Sequence, residues 1–190
     1  MFTEEKLVNK NVTSKKVTMF FKKKLHINII LVIIELVINK TKGDFMSNQT
    51  HTVFVYGTLK KDYGNHSIIS KAPYIGEAIT DESNFKMISF SGAFPGVGCR
   101  PEYKCRVSGE VYEVTDAELY QMDQLESNGR FYQRNYIDVH VKLPNGKYVK
   151  DKAWMYLLID HQGRFELQNN GDIFTDSIDG FHQVQTWRRI

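Results

Sequence analysis

Val53-Phe54-Val55-Tyr56-Gly57-Thr58-Leu59 is the stretch around which the rest of the chain is organised. β-Favouring residues run unbroken from Val53 to Tyr56, which predicts a short buried strand, and Gly57 ends it where the backbone must turn or approach something closely. The strand delivers a loop. Thr58, Lys60, Lys61, Asp62, Gly64 and Asn65 beyond it are polar or flexible, which suits a loop whose free backbone N–H groups hold an anionic or carbonyl oxygen. Taken alone, the same pattern also describes an ordinary turn.

The surrounding 190 residues, 42% hydrophobic and 13% aromatic, are enough for one core and one domain. The formal charge of +3 is unevenly spread. Residues 1–45 hold nine Lys against four acids, and the remainder holds 16 basic and 18 acidic groups, close to neutral at −2. A nucleic-acid partner would need a basic patch in the folded part, and none is present there. Cys99 and Cys105 are too few for a disulfide framework or a four-ligand metal site, and read as reduced structural thiols of a cytoplasmic protein.

Residues 1–45 contain no Arg, Pro, Tyr or Trp, whereas every Tyr, Pro and Trp lies after Met46. The apolar run 25–38 is interrupted by His26, Asn28 and Glu35 and falls short of the ~20 apolar residues of a spanning helix. Its basic flank, Lys22-Lys23-Lys24, resembles a signal-sequence n-region, but no small-residue cleavage site follows before Lys40. Lys42-Gly43-Asp44-Phe45-Met46 can be encoded so that a bacterial ribosome-binding sequence precedes an in-frame start codon. The expectation is therefore an extension, 1–45, that is disordered or foreign to the natural protein, a domain over 46–160, and a polar tail over 161–190.

Within that domain, 73–79 and 85–90 are expected strands separated by the polar turn Asp81-Glu82-Ser83-Asn84. Residues 107–114 form another, in which Gly109 predicts a bulge or tight bend. Alternation is clearest where Ile137, Val139, Val141 and Leu143 share one face and Tyr136, Asp138, His140 and Lys142 the other. Pro144-Asn145-Gly146-Lys147 supplies hairpin turn chemistry, and 148–159 returns as the partner strand. This pattern predicts a small twisted or closed sheet. After Asp160 an irregular tail is expected, with Trp187 as a possible anchor.

One helix stands out. Thr115 followed by Glu118 is a capping box that starts a helix at Asp116, running to about Glu126. Leu119, Met122 and Glu126 lie within about 60° of one another on it, so a carboxylate sits on the apolar stripe, with Asp123 at the stripe's edge. An ionised carboxylate there must find a partner, be protonated or line a cavity. Burial would raise its pKa toward the range useful for general acid and base work. The alternative is a helix-end carboxylate that escapes to solvent or pairs with Arg130 or Arg134.

Val-Phe-Val-Tyr-Gly-Thr-Leu-Lys at 53–60, Asn65-His66, Gly109-Glu110-Val111-Tyr112, and Asp123-Gln124-Leu125-Glu126-Ser127 followed by Tyr132-Gln133-Arg134 occur in this order. Together they resemble the γ-glutamylcyclotransferase-like (AIG2-like) superfamily, most closely its γ-glutamylamine cyclotransferase branch. The resemblance spans Val53 to about Leu158 and implies an α+β fold, a small mixed β-barrel with flanking helices. It implies an enzyme that converts a γ-glutamyl amine or peptide to 5-oxoproline and a free amine, the substrate's own α-amino group attacking its γ-carbonyl. Such a reaction needs the substrate held in ring-closing geometry, a base for the α-ammonium and donors for the oxyanion. By resemblance Glu126 is the catalytic acid/base. Tyr56, Gly57, Thr58 and Leu59 form the substrate-binding loop, and Tyr132 is a further pocket residue that could equally be a core aromatic.

No metal or organic cofactor is implied, and His66 and His140 show no ligand spacing. The expected partner is a small γ-glutamyl substrate rather than nucleic acid or membrane. Two other readings stay open: a non-catalytic module of the same fold that binds a small ligand, and a membrane-tethered interaction protein anchored by residues 20–38.

Overall fold

The computed structural model describes residues 49–159 and 171–189, so the expectations for 1–45 and for 161–170 lie outside the described residues. In chain order the elements are β1 (Thr50–Val55), a short 3-10 turn (His66–Ile68), β2 (Tyr74–Thr80), β3 (Phe85–Phe90), β4 (Phe94–Cys99) and β5 (Arg106–Thr115). They continue with α1 (Asp116–Leu125), β6 (Tyr132–Lys142), β7 (Tyr148–Leu158), β8 (Ile173–Ile178) and β9 (Phe181–Trp187).

The sheet order β1-β7-β6-β2-β5 closes on itself because β1 also pairs with β5. The β1–β7 contact is parallel and the other barrel pairings are antiparallel. The result is the closed sheet that the strand pattern predicts and the small mixed barrel that the resemblance implies, flanked by a single α-helix among the described residues. A separate hairpin, β3–β4, packs against it.

β1 is central because both of its faces are buried. Phe54 and Tyr56 point into the cluster with Val97, Val107, Val111, Val139 and Met155. Val53 and Val55 face the other way, into a cluster with Leu119 and Met122 of α1. Each such side chain contributes roughly 1.5–3 kcal/mol on burial, so the continuous apolar run is the signature of a strand covered on both sides. Val53↔Tyr112 and Val55↔Glu110 fix its register against β5.

Two expectations are corrected. Gly109 makes no bulge: Ala78↔Gly109 continues the β2–β5 ladder, and the register shift lies between Tyr74 and Gly76. A Cβ at Gly109 would stand 2.4 Å from the Val55 carbonyl oxygen, so this glycine permits a close approach of backbones. Nor is the carboxy-terminal segment an irregular tail. β8 and β9 form a hairpin, and β9 runs parallel to β5 through Arg106↔Val184 and Val107↔Gln185.

Trp187 is the anchor of that hairpin, fully buried, with its indole N–H 2.8 Å from Asp172 Oδ2. Ser89 donates to the same oxygen, which ties the hairpin to β3. The polar composition of 173–187 hid this because only Ile173, Val184 and Trp187 are buried there.

Candidate active site

The loop after β1, the carboxy-terminal end of α1 and β4 converge on one cavity of about 380 Å³. Its wall includes Tyr56, Gly57, Thr58, Leu59, Glu126 and Tyr132, so the six residues assigned to the site from the sequence are brought together there. Asn65, Phe94, Pro95, Leu125, Ser127, Phe131 and Tyr156 line it as well.

The loop is rigid through its own hydrogen bonds. Lys60 N–H donates to the Gly57 carbonyl at 3.1 Å, Asn65 N–H to the Thr58 carbonyl at 3.0 Å, and Asn65 Nδ2 to Thr58 Oγ1 at 2.9 Å. His66 Nδ1 donates to the Leu59 carbonyl at 3.0 Å. Among the described residues, the N–H groups of Gly57, Thr58 and Leu59 donate to no acceptor. Consecutive unspent donors on a cavity wall form an anion- or carbonyl-binding concavity.

Behind the loop, Lys60 is buried, donates to the Trp187 carbonyl at 3.1 Å and lies 4.9 Å from the Tyr63 ring centre. Burial lowers its pKa. The carboxy-terminal strand thus braces the loop.

Gly57 has a second reason to be glycine. A Cβ there would stand 2.9 Å from Cγ and 3.1 Å from Cδ of Pro95, so β4 closes against the loop with no room for a side chain.

α1 places the acid. The capping box is formed as predicted: Thr115 Oγ1 accepts from Glu118 N–H at 3.3 Å, and Glu118 Oε2 accepts from Thr115 N–H at 2.8 Å. Leu119 and Met122 are buried beneath it. The helix ends at Leu125 with Glu126 as its C-cap. Ser127 then turns the chain with φ 48°. Its N–H bonds to the Gln124 carbonyl at 3.3 Å and that of Asn128 to the Asp123 carbonyl at 2.9 Å, which is a Schellman closure. Such a position favours glycine, so serine is held there against roughly 1–2 kcal/mol of backbone preference. Ser127 lines the cavity beside Glu126.

Among the described residues the Glu126 carboxylate has no hydrogen-bond or ion-pair partner. Burial alone raises its pKa from 4.5 to about 7. The expected alternative, pairing with Arg134, does not occur. Arg134 Nη1 lies 3.4 Å from Asp123 Oδ2 and its guanidinium stacks 5.0 Å from the Trp154 ring centre. Asp123 Oδ1 accepts from Tyr156 Oη at 2.6 Å and from Asn128 Nδ2 at 3.1 Å. The two acids of one helix end have separate tasks: Asp123 braces the turn and Glu126 faces the cavity.

The tyrosines are fixed by their oxygens. Tyr56 Oη donates to the Tyr156 carbonyl at 2.7 Å, and Tyr132 Oη to the Pro95 carbonyl at 2.9 Å. Burial raises the pKa of both, so they stay neutral. Tyr132, 4% exposed, is at once a core aromatic and a cavity wall.

β4 is the wall the sequence did not reveal. Pro95, Gly96 and Gly98 mask it as a turn-rich segment, although Phe85–Phe90 pairs with it residue for residue through Cys99. Among the described residues no group of three or more His, Cys, Asp or Glu is placed to hold a metal ion. No helix among them is long and apolar enough to cross a membrane.

The chain that builds this site is similar to known proteins. The family model for gamma-glutamyl cyclotransferase, AIG2-like proteins matches residues 53–174, and so includes the second half of β1, α1 and the residues that line the cavity. The gamma-glutamylcyclotransferase family protein YtfP of Escherichia coli is 32% identical over 123 residues, 63% of this chain and 93% of that protein. The gamma-glutamylaminecyclotransferase of Bos taurus is 36% identical over 101 residues, 50% of this chain and 60% of that protein. An AIG2-like protein from Mus musculus superposes with a TM-score of 0.51 at 25% identity, covering 64% of this chain and 96% of that one. The matched segment holds every sequence-predicted site residue, and the chain belongs to the gamma-glutamyl cyclotransferase, AIG2-like family.

Proposed function

We propose that this protein converts a γ-glutamyl amide to 5-oxoproline and a free amine, with Glu126 as the proton-transfer group. The observation that carries the reading is the unpartnered Glu126 carboxylate, raised to about 7, on the same cavity wall as the unspent N–H groups of Gly57, Thr58 and Leu59.

The chemistry follows from these parts. The substrate's α-ammonium lies beside its own free α-carboxylate and so titrates above the value of about 7.7–8 for a peptide amino terminus; raising Glu126 to about 7 narrows the mismatch across which the proton is transferred. The freed amine attacks the γ-carbonyl carbon of the same molecule. The new C–N bond closes the five-membered ring, and the carbonyl oxygen becomes an oxyanion facing the loop donors. Collapse breaks the bond to the leaving nitrogen as Glu126 hands it the first proton. The ring nitrogen then gives its second proton to the Glu126 carboxylate, which passes it to the released amine, so the amine departs as its ammonium and Glu126 is regenerated. No water is consumed.

The enzyme's main contribution is to hold the chain folded for ring closure, where pre-set geometry alone is worth several kcal/mol. A loop stitched by its own hydrogen bonds and walls fixed through the Tyr56 and Tyr132 hydroxyls suit that task.

The test is release of 5-oxoproline from γ-glutamyl amides by the parent and by Glu126→Gln. The parent should turn over at least one such amide, and the variant should lose at least ~10²-fold, as expected for a missing general base. Equal rates in the two proteins would overturn the assignment.

A further inference from the structure

The cavity is divided by polarity. Apart from the hydroxyls of Tyr56, Tyr132 and Tyr156, which are spent on hydrogen bonds, its polar groups, the loop N–H donors, Asn65, Ser127 and Glu126, come from the loop after β1 and from the end of α1. Its remaining rim is apolar: Ala93, Phe94, Leu125 and Phe131. Phe94 and Leu125 are 37% and 39% exposed, large apolar side chains left open at the cavity mouth.

Phe94 belongs to a built aromatic plate. Its ring stacks on Phe90 with centroids 4.9 Å apart and planes at 23°. Phe131 meets Phe90 at 5.5 Å and Phe94 edge-on at 6.3 Å. The tight turn between β3 and β4 fixes the stack: Ser91 and Gly92 both have positive φ, and Ala93 N–H bonds to the Phe90 carbonyl at 3.0 Å. Phe131 is steadied in turn against Tyr132, with ring planes at 75°.

Charge is as informative as shape. Among the described residues lining the cavity none is Lys, Arg or His, and the sole carboxylate is Glu126. A leaving group that carries its own carboxylate would meet no cation there and one potential anion.

Resting on the cyclotransferase reading above, we propose that this mouth is the leaving-group subsite and that it selects neutral arylalkyl amines. The preferred substrates are then γ-glutamyl arylalkylamides, and γ-glutamyl amino acids and peptides are discriminated against. With the glutamyl part against Glu126 and the loop donors, the amide substituent points to the apolar rim. An aryl ring there covers the open face of Phe94 and gains the offset or edge-on contact that aromatic pairs favour. A carboxylate on the same substituent is desolvated without a partner.

Three matched substrates separate the terms: γ-glutamylphenethylamide, γ-glutamylethylamide and γ-glutamylphenylalanine, each assayed for 5-oxoproline, with a γ-glutamyl(aminobutyl)amide as a cationic arm. The first should exceed the second by about 10-fold in kcat/KM, a difference of about 1.4 kcal/mol, within what ring burial and stacking supply. It should also exceed γ-glutamylphenylalanine, which differs only by a carboxylate, by at least about 10-fold. Phe94→Ala, with urea unfolding to confirm that the variant is folded, should narrow the gap between phenethylamide and ethylamide several-fold.

Equal rates for phenethylamide and ethylamide, a preference for γ-glutamylphenylalanine, or a preference for the aminobutyl amide through cation–π contact would each overturn the subsite assignment. The cyclotransferase reading would survive any of these. Absence of 5-oxoproline from all four substrates would instead remove that reading, and this inference with it.

Discussion

Replacing Glu126 with glutamine reads the buried charge through folding, independently of catalysis. Burial raises the carboxyl from 4.5 to about 7, whereas in the unfolded chain it titrates near the lower value. Between those two pH values the folded protein therefore binds more protons than the unfolded one. The stability linked to the protonated carboxyl is fully present below 4.5, declines as pH rises, and is gone above about 7. The difference between 4.5 and about 7, at about 1.36 kcal/mol per pH unit, amounts to about 3 kcal/mol.

Glutamine keeps the volume and titrates nowhere. Urea unfolding of parent and variant should give similar stabilities near the unfolded pKa of 4.5 and a variant more stable by about 3 kcal/mol at about pH 8. In the parent, kcat/KM should rise with pH through about 7 as the base ionises. A stability gap that does not change with pH, or a variant less stable than the parent at about pH 8, would mean that the carboxylate is solvated or paired, and the reasoning from burial would fail.

Gly57→Ala places a Cβ 2.9 Å from the Pro95 ring; kcat/KM should fall at least about 10-fold while unfolding free energy drops by less than about 3 kcal/mol, and steady-state kinetics with urea unfolding separate the two. Asp123→Asn weakens the acceptor shared by Tyr156, Asn128 and Arg134, so stability should fall by about 1–3 kcal/mol while kcat stays within a few-fold. Ser127→Gly relieves the residue at φ 48° and should stabilise by about 1 kcal/mol, yet raise KM by removing a hydroxyl from the cavity wall. Trp187→Ala deletes a fully buried indole and a donor to Asp172; a loss of about 3–5 kcal/mol by thermal or urea unfolding would show that the last strand belongs to the core.

The legible parts of this fold are those in which local pattern and burial agree. β1 reads as an apolar run because both faces are covered, β6 alternates around Val139 and Val141, and the Thr115–Glu118 capping box sets the start of α1. Glu126 was visible because helical spacing places it in line with Leu119 and Met122. Other features depend on partners distant in sequence. β4 carries proline and glycine where its edge meets Gly57 and Leu158, contacts no local window contains. β8 and β9 bury so few side chains that their polarity resembles a loop, although Trp187 is among the most deeply buried residues. That Arg134 serves Asp123 and leaves Glu126 unpaired depends on the register of β6 after the Schellman turn.

The central claim is that the γ-glutamyl amide is cleaved by its own α-amino group, with water taking no part. The most direct test is mass analysis of the products formed by the parent protein from a γ-glutamyl amide in oxygen-18 water. The account predicts 5-oxoproline in equal amount to the released amine, with no label in either product. Labelled glutamate as the primary product would contradict it, because the nucleophile would then be water and Glu126 a hydrolytic base.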